Sequence, residues 1–274
     1  MSMDISSLFG TWPGEHHALV GLDLSGPKPE AFLSLGDSQE HYALASITKV
    51  ISAMTLMSVV DEGYATLDDV IDDRGVTLRM ALSHAGGYAP DTGRILAEPA
   101  TRRIYSNHGY LVAAEHVASQ LRTPFAQLVS EHVLGPLSMS ETTSDAHPAY
   151  GAFGTVGDLS VLVHALLHPQ LLSEMALSAL RSVQYPELVG VLPGFGRMNP
   201  CPWGAGAEVK GSKVPHWSGE AFGTESFGHF GRAGGFILVD PTTLLGIVAL
   251  GDVDFGPWAA QLWPELTDAV AALA

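Results

Sequence analysis

Apolar residues recur along this chain in two different patterns, and the pattern changes with position. Near both ends, short alternating or continuous apolar runs are bounded by Gly, Pro and Asp, which predicts β-strands. In the middle, apolar positions recur every three or four residues over longer stretches, which predicts helices. The predicted strands are 17–24, 31–35, 203–210, 226–231, 235–239 and 244–250.

The helical stretches carry recognisable start and stop signals. Gly63 ends a first helix that is apolar nearly all round and should therefore be buried. Asn107 or Ser106 suits an N-cap, Thr123-Pro124 reads as a cap followed by proline, and Thr155 with Asp158 resembles a capping box. The predicted helices are 46–62, 77–84, 107–121, 124–133, 155–167, 172–181 and 257–273.

This order of elements predicts an α+β fold, an α/β sandwich. One antiparallel sheet is built from both chain ends and flanked by helices, and an all-α subdomain is inserted between them. We place the sheet-containing subdomain at 1–75 plus 182–274 and the helical insertion at 76–181.

Composition narrows the possible partners. The chain has 274 residues, 46% of them hydrophobic, and its 13 basic and 29 acidic residues give a net charge of −16. Nucleic acid and anionic membrane surfaces are poor partners for such a charge, because both require clustered Lys and Arg. The longest apolar stretch, 50–60, is too short to span a bilayer, and the first residues lack a basic and an apolar signal region. We therefore expect a cytoplasmic protein whose oligomeric state the sequence leaves open.

Several catalytic motifs are absent, among them G-x-S-x-G, the P-loop, G-x-G-x-x-G and H-E-x-x-H. His164 and His168 are four residues apart and could form a metal-ligand pair, but no carboxylate is placed to complete the site. The single cysteine, Cys201, excludes an internal disulfide. We expect no metal and no cofactor.

One short motif remains, Ser46-Ile47-Thr48-Lys49, an S-x-x-K. Such a pattern arises easily by chance, and Ser25-Gly26-Pro27-Lys28 fits it too. The two differ in context, because Gly and Pro forbid a helix at 25–28, whereas Ser46 opens the most apolar helix of the chain. On a helix, positions three apart share a face, so Lys49 can reach Ser46.

Two further segments combine with this motif. Tyr105-Ser106-Asn107 lies at a loop-to-helix junction, and Gly228-His229-Phe230-Gly231-Arg232 is glycine-rich enough for a ligand to approach a strand backbone. Taken singly, each has an ordinary structural explanation. Tyr105 could be a core residue, Asn107 could be only a helix cap, and the glycines of 228–232 could simply allow the chain to bend.

Together, Ser46-x-x-Lys49, Tyr105-x-Asn107 and His229-x-Gly231 resemble the serine β-lactamases and penicillin-recognising proteins in order and spacing. The class C β-lactamase-like group, with its esterases and D-amino-acid peptidases, is the closer match. The segments 77–87, 134–139 and 228–241 also resemble that group, so the resemblance covers about residues 40–255.

The resemblance implies a serine hydrolase that forms an acyl-enzyme on Ser46 with a small ester, amide or β-lactam. Lys49 and Tyr105 would form the general-base system, either with a neutral Lys49 as the base or with a charged Lys49 that activates Tyr105. The amides of Ser46 and Arg232 would form the oxyanion hole. Asn107 would orient the substrate, and His229 would support the Lys49–Tyr105 pair or bind the polar end of the acyl group.

One residue departs from the family pattern. Phe230 stands where Thr or Ser usually helps to hold the β-lactam carboxylate, which favours neutral esters or amides. Arg232 would share a strand face with position 230 and could replace the missing carboxylate contact. Trp203, Trp217, Phe222 and Phe230 could line an apolar acyl pocket. β-lactam hydrolysis, D-amino-acid peptidase activity and penicillin binding without turnover remain alternatives.

Overall fold

The computed structural model describes residues 4–144 and 146–274. The strands are β1 (His17–Asp23), β2 (Glu30–Leu35), β3 (Tyr42–Ala43), β4 (Thr143–Ser144), β5 (Ala152–Gly154), β6 (Gly190–Leu192), β7 (Gly196–Met198), β8 (Glu208–Val209), β9 (Phe227–Gly231), β10 (Gly235–Asp240) and β11 (Leu245–Gly251). The helices are α1 (Ile5–Phe9), α2 (Thr48–Asp61), α3 (Leu78–Leu82), α4 (Asn107–Leu121), α5 (Phe125–Val129), α6 (Val156–Ala165), α7 (Glu174–Arg181) and α8 (Pro257–Ala271).

A six-stranded antiparallel sheet forms the centre of the molecule, in the order β2-β1-β11-β10-β9-β8. The first two strands come from one end of the chain and the other four from the other end, and they meet where His17 pairs with Gly251. The predicted α+β fold, with a sheet drawn from both ends and flanked by helices, is confirmed.

Both faces of the sheet are covered by apolar side chains. Along β10, Ile237 and Val239 join a core that includes α2 and α6, whereas Phe236 and Leu238 join a second core with α8. Because successive side chains point to opposite faces, a strand covered on both sides must be apolar throughout. This explains why 235–239 and 244–250 form continuous apolar runs.

Helix α2 lies inside the first core, as its apolar sequence predicts. Every residue from Thr48 to Val59 is buried, including the amine-bearing Lys49. A short 3-10 turn, Ala45–Ile47, precedes the helix and carries Ser46. The predicted helical start at Ser46 is therefore wrong by two residues.

Other differences from the predicted elements are local. Helix α5 begins after Pro124 and passes into a π-helical turn, Ser130–Leu134, while Thr123 provides no cap. Helix α1 and strands β3 to β7 are short and fall outside the predicted elements, and β4 and β5 give the predicted all-α insertion two short strands. Ser106 and Thr155 are N-caps, as predicted.

The histidine pair has a structural explanation. His164 Nε2 lies 2.9 Å from the carbonyl oxygen of Gly26, and His168 Nε2 lies 2.7 Å from that of Leu24. Their stacked rings thus hold the loop between β1 and β2. Within 4–144 and 146–274, no cluster of three or more His, Cys, Asp and Glu could hold a metal ion. None of the helices described there is long and apolar enough to cross a membrane.

Candidate active site

Ser46 lies on the 3-10 turn that leads into α2, between the sheet and the helices. The preceding Ala45 has φ +43°, a left-handed conformation that is unfavourable for a residue with a Cβ. Thr48 Oγ1 accepts a hydrogen bond from the Ala152 amide at 3.0 Å, which ties the start of α2 to β5. The local backbone is therefore held in a strained shape at the residue before Ser46.

Two side chains converge on the Ser46 hydroxyl. Tyr105 OH lies 2.7 Å from Ser46 Oγ, and Lys49 Nζ lies 3.2 Å from the same oxygen. Lys49 sits one helical turn after Ser46, and Tyr105 comes from the loop before α4. The structure thus brings together the serine, lysine and tyrosine selected from the sequence.

Lys49 is fully buried and has no carboxylate in hydrogen-bond contact among the described residues. Besides Ser46, its amine contacts Asn107 Oδ1 at 2.6 Å and the carbonyl oxygen of Ala149 at 2.8 Å. Burial holds the pKa of Lys49 well below its ordinary value, and only the carboxylate of Asp91 opposes this effect. The physical chemistry of the pocket therefore favours a neutral amine.

Burial acts in the opposite direction on Tyr105. It raises the pKa of the phenol, because the phenolate would lose its hydration, although the hydrogen bond with Ser46 opposes this shift. The ring packs against His84 with centroids 4.5 Å apart, and the Nδ1 of His84 accepts a hydrogen bond from the Ser106 amide. Tyr105 is thus neutral and firmly positioned.

Asn107, the first residue of α4, connects Lys49 to a group that the sequence analysis missed. Its Oδ1 accepts from Lys49, and its Nδ2 donates to Asp91 Oδ1 at 2.6 Å. These two bonds fix the orientation of the amide. Asp91 lies in an irregular loop, where no motif or periodicity distinguishes it from other exposed acidic residues.

Strand β9 forms the opposite wall. His229 faces Tyr105, with ring centroids 5.9 Å apart, and its Nδ1 lies 2.7 Å from the carbonyl oxygen of Phe230. Burial, the largest cause, lowers the pKa of His229 to about 3, so this imidazole is neutral at pH 7. A neutral His229 cannot serve as a cationic anchor for a carboxylate.

Gly231 lies at the closest approach of β9 to the turn that carries Ser46. A Cβ at this position would lie 2.5 Å from the carbonyl oxygen of Leu44 and 3.2 Å from the Cβ of Ala45. Glycine is required here because any side chain would push the two backbones apart. In the described chain, neither the Ser46 amide nor the Arg232 amide donates a hydrogen bond to another protein group.

The expectation that Arg232 shares a strand face with Phe230 is wrong. Strand β9 ends at Gly231, and Arg232 begins the turn to β10. The Arg232 side chain is 85% exposed and pairs with Asp254, with Nε and Oδ2 3.1 Å apart. Phe230 is 9% exposed and packs against Phe255, with ring centroids 4.8 Å apart.

A cavity of about 350 Å³ opens above Ser46. Tyr105, Asn107, His229 and Phe230 form part of its lining, and Trp203 adds an apolar wall. The other two aromatic residues proposed for an acyl pocket do not line it. Trp217 and Phe222 are buried in the second core, of which Trp203 and Phe230 form the part that reaches the cavity.

A buried ion pair closes another side of this cavity. Glu208 lines it and bonds to Lys213, while Trp217 Nε1 donates to Glu208 Oε2 at 2.9 Å. Burial alone would raise the pKa of Glu208, but Lys213 and His216 hold it well below its ordinary value. The Glu208 carboxylate is thus already paired with protein groups. The sequence predicted only a strand over 203–210 and gave no sign that Glu208 lies at this cavity.

Known proteins provide an independent comparison. A family model described as Beta-lactamase matches residues 36–272. No curated protein matches the chain. A solved structure described as a beta-lactamase from Mycobacterium bovis is 40% identical, covers 98% of both chains and superposes with a TM-score of 0.93.

More distant structures share the fold. Simvastatin synthase from Aspergillus terreus is 14% identical, with 98% of this chain and 97% of that chain covered and a TM-score of 0.79. EstCE1, described as a hydrolase with promiscuous acyltransferase activity, is 14% identical, with 93% of both chains covered and a TM-score of 0.75.

Proposed function

Since the chain belongs to the Beta-lactamase family, as the match over residues 36–272 shows, we propose that it is a serine hydrolase acting through an acyl-enzyme on Ser46. The observation that carries this proposal is the convergence of Lys49 Nζ and Tyr105 OH on Ser46 Oγ. A nucleophile with a base in hydrogen-bond contact, itself oriented by a third group, is the arrangement that acyl transfer requires.

Lys49 acts as the base in acylation. A neutral amine has two N–H bonds and one lone pair, and the two N–H bonds are directed to Asn107 Oδ1 and the Ala149 carbonyl. The lone pair is then left for the Ser46 proton. As Oγ attacks the carbonyl carbon, this proton moves to Nζ, and the bond to the leaving group breaks when that group takes a proton back from Lys49 through Tyr105.

The developing oxyanion is stabilised by the Ser46 and Arg232 amides. Both are free of protein acceptors over residues 4–144 and 146–274. Each such donor contributes roughly 3–4 kcal/mol to transition-state stabilisation. Water then attacks the acyl carbon and gives one proton to the neutral Lys49. The bond from that carbon to Ser46 Oγ breaks, Oγ takes the proton back from Lys49, and the acid is released.

The substrates are small esters or amides without a carboxylate beside the scissile bond. Phe230 and Trp203 supply an apolar surface next to Ser46, and the neutral His229 offers no positive charge. The carboxylate of a β-lactam would meet the Phe230 ring here and lose hydration, and the Arg232 guanidinium that also lines the cavity is exposed to solvent and already paired with Asp254. Short-chain p-nitrophenyl esters should therefore be hydrolysed with a higher kcat/KM than nitrocefin or benzylpenicillin.

Replacing Gly231 by Ala should remove activity while leaving the protein folded. The added Cβ would displace β9 from the Ser46 turn and separate the two oxyanion donors, which should lower kcat for p-nitrophenyl acetate by about 100-fold or more. Gly223→Ala is the matched control, because its Cβ would meet only Asp240 Oδ2 at 3.9 Å. Near-normal activity in Gly231→Ala would exclude the Arg232 amide as a donor.

Phe230→Thr tests the substrate preference but also opens a cavity in the second core. We expect the free energy of unfolding in urea to fall by about 3–5 kcal/mol. Phe153→Thr, at a side chain that is 53% exposed, should change it by less than about 0.5 kcal/mol. In the folded fraction of Phe230→Thr, the ratio of nitrocefin to ester turnover should rise. An unchanged ratio would mean that position 230 does not select against the carboxylate.

Two alternatives make different predictions for the same assay. A D-amino-acid peptidase would cleave D-alanyl peptides faster than any simple ester. A penicillin-binding protein without turnover would show a stable penicilloyl adduct on Ser46 in intact-mass spectra and no product release. A single panel of esters, nitrocefin and D-alanyl peptides on the pure protein distinguishes the three.

A further inference from the structure

A second cavity, which we name the annex cavity, adjoins the cavity above Ser46. It has a volume of about 550 Å³ and shares Pro90, Tyr105 and Pro193 with the first cavity as lining residues. The two spaces are thus separated only by side chains that belong to both. This adjacency makes the annex cavity the nearest described space for a substrate arm that extends beyond Tyr105 when the reacting carbonyl lies at Ser46.

The annex cavity is mostly apolar and open to solvent. Leu96 and Val191 line it although they are 41% and 54% exposed, and Ile104 adds a partly buried apolar surface. Exposed apolar side chains that lie together around a concavity mark a place where an apolar ligand gains by leaving water. An alkyl or aryl arm of a substrate provides such a ligand.

Two consecutive arginines line this cavity and have different roles. Arg103 is 3% exposed, and its guanidinium donates to the carbonyl oxygens of Ser83, Cys201, Gln184 and Tyr185. These bonds use four of its five N–H donors and fix the wall between the loop before α4 and the segment near β6. Arg103 is therefore a buried structural residue.

Arg102 lies in a bend of the chain and differs from Arg103 in its surroundings. It is exposed and lines the annex cavity, and within the described chain it has neither an ion pair nor a side-chain hydrogen bond. The protein has 29 acidic and only 13 basic residues. Arg94, Arg122 and Arg197 are likewise exposed and have no carboxylate partner in the described chain, but of these four arginines only Arg102 lines the annex cavity, where an anionic ligand can engage its planar fork.

We propose that the annex cavity binds one arm of the substrate, an apolar chain with an anionic terminal group, and that Arg102 recognises that group. This inference rests on the proposed function and adds the substrate class to it. The substrate is then an ester or amide that is neutral beside the scissile bond and negatively charged at a distance. The anion-binding residue lies in the annex cavity, away from Phe230 and His229.

The test compares p-nitrophenyl esters of dicarboxylic acids, each with one free carboxylate, with p-nitrophenyl esters of simple fatty acids of equal chain length. Chains from four to ten carbons sample the distance to Arg102. A second series places the free carboxylate on the alcohol arm of acetate esters. In one of the two series, at one chain length, the carboxylate should raise kcat/KM of the wild type. In Arg102→Gln, kcat/KM for the charged ester divided by kcat/KM for the neutral ester should be about 5- to 10-fold lower than in the wild type.

Charge reversal and a matched control make the assignment specific. In Arg102→Glu, esters with a terminal ammonium group should become better substrates than those with a carboxylate. Arg94→Gln removes the same charge from an exposed residue of the preceding loop that lines neither cavity, and it should leave the ratio unchanged. The free fatty-acid anion should also inhibit the wild type competitively and Arg102→Gln more weakly.

The outcomes separate the two proposals. If neutral esters are hydrolysed but no carboxylate position raises kcat/KM and Arg102→Gln changes no ratio, the annex assignment is wrong and the serine hydrolase stands. If Arg94→Gln lowered the ratio of charged to neutral kcat/KM as much as Arg102→Gln does, the effect would come from the net charge of the protein, and the annex assignment would also be wrong. If no ester of any kind is hydrolysed, the proposed function itself fails.

Discussion

Ser46→Ala should reduce ester hydrolysis by about four orders of magnitude or more, because it removes the only atom on which the proposed acyl-enzyme can form. Lys49 and Tyr105 would keep their positions around the missing hydroxyl, so the protein should remain folded. The measurement is kcat/KM for p-nitrophenyl butyrate, together with intact-mass spectra after exposure to a fluorophosphonate. The wild type should gain one adduct and the variant none.

Ser25→Ala is the matched control for this experiment, because Ser25-Gly26-Pro27-Lys28 carries the same spacing. In the structure Ser25 and Lys28 are exposed on the turn between β1 and β2, where the Ser25 amide donates to Asp23 Oδ1. This variant should retain full activity and the adduct. Substantial hydrolysis by Ser46→Ala would require a different nucleophile and would overturn the proposed mechanism.

Lys49→Arg should lower kcat by about 100- to 10,000-fold, the contribution of a positioned general base. The substitution keeps a positive charge beside Tyr105, but a guanidinium does not lose its proton in a protein and therefore cannot accept that of Ser46. Lys49→Met removes both properties and should be equally inactive. If Lys49→Arg kept most of its activity while Lys49→Met lost it, the lysine would act as a charge and Tyr105 as the base.

The pH dependence follows from the same assignment. A protonated Lys49 has no lone pair, so kcat/KM should rise with pH through the pKa of Lys49 and then reach a plateau. Burial lowers this pKa well below its ordinary value, so the rise should end far below the range in which an exposed lysine titrates. A rise that continues to strongly alkaline pH would instead indicate the Tyr105 phenol, whose pKa burial raises.

The elements with strong periodicity were predictable, and those fixed by tertiary contacts were not. A fully apolar helix has to be buried, and α2 is. The short strands β3 to β7 have two or three residues each, which is too few for a period to appear. The 3-10 turn that carries Ser46 packs against β9 near Gly231, and a contact so distant in sequence leaves no local signal of where α2 begins.

The same distinction applies to the site. Ser46, Lys49, Tyr105 and Asn107 occur in short motifs, and the structure places them within hydrogen-bond distance of one another. Asp91 was missed because a loop carboxylate has no sequence signature. Trp217 and Phe222 do not line the cavity although Trp203 and Phe230 of the same core do, because nearness to a motif along the chain does not reveal how deeply a side chain is buried behind the site.

The pairing of β1 with β11 determines when the site can form during synthesis. His17 is synthesised long before its partner Gly251, so the central sheet depends on a contact of very high sequence separation. Such topologies fold slowly, since the entropy of closing a long loop is lost before the strand pair is gained. Ser46 therefore leaves the ribosome long before β9 can pack against its turn, and a nascent chain that stops short of Gly231 has the serine without the Arg232 amide that we propose for the oxyanion hole.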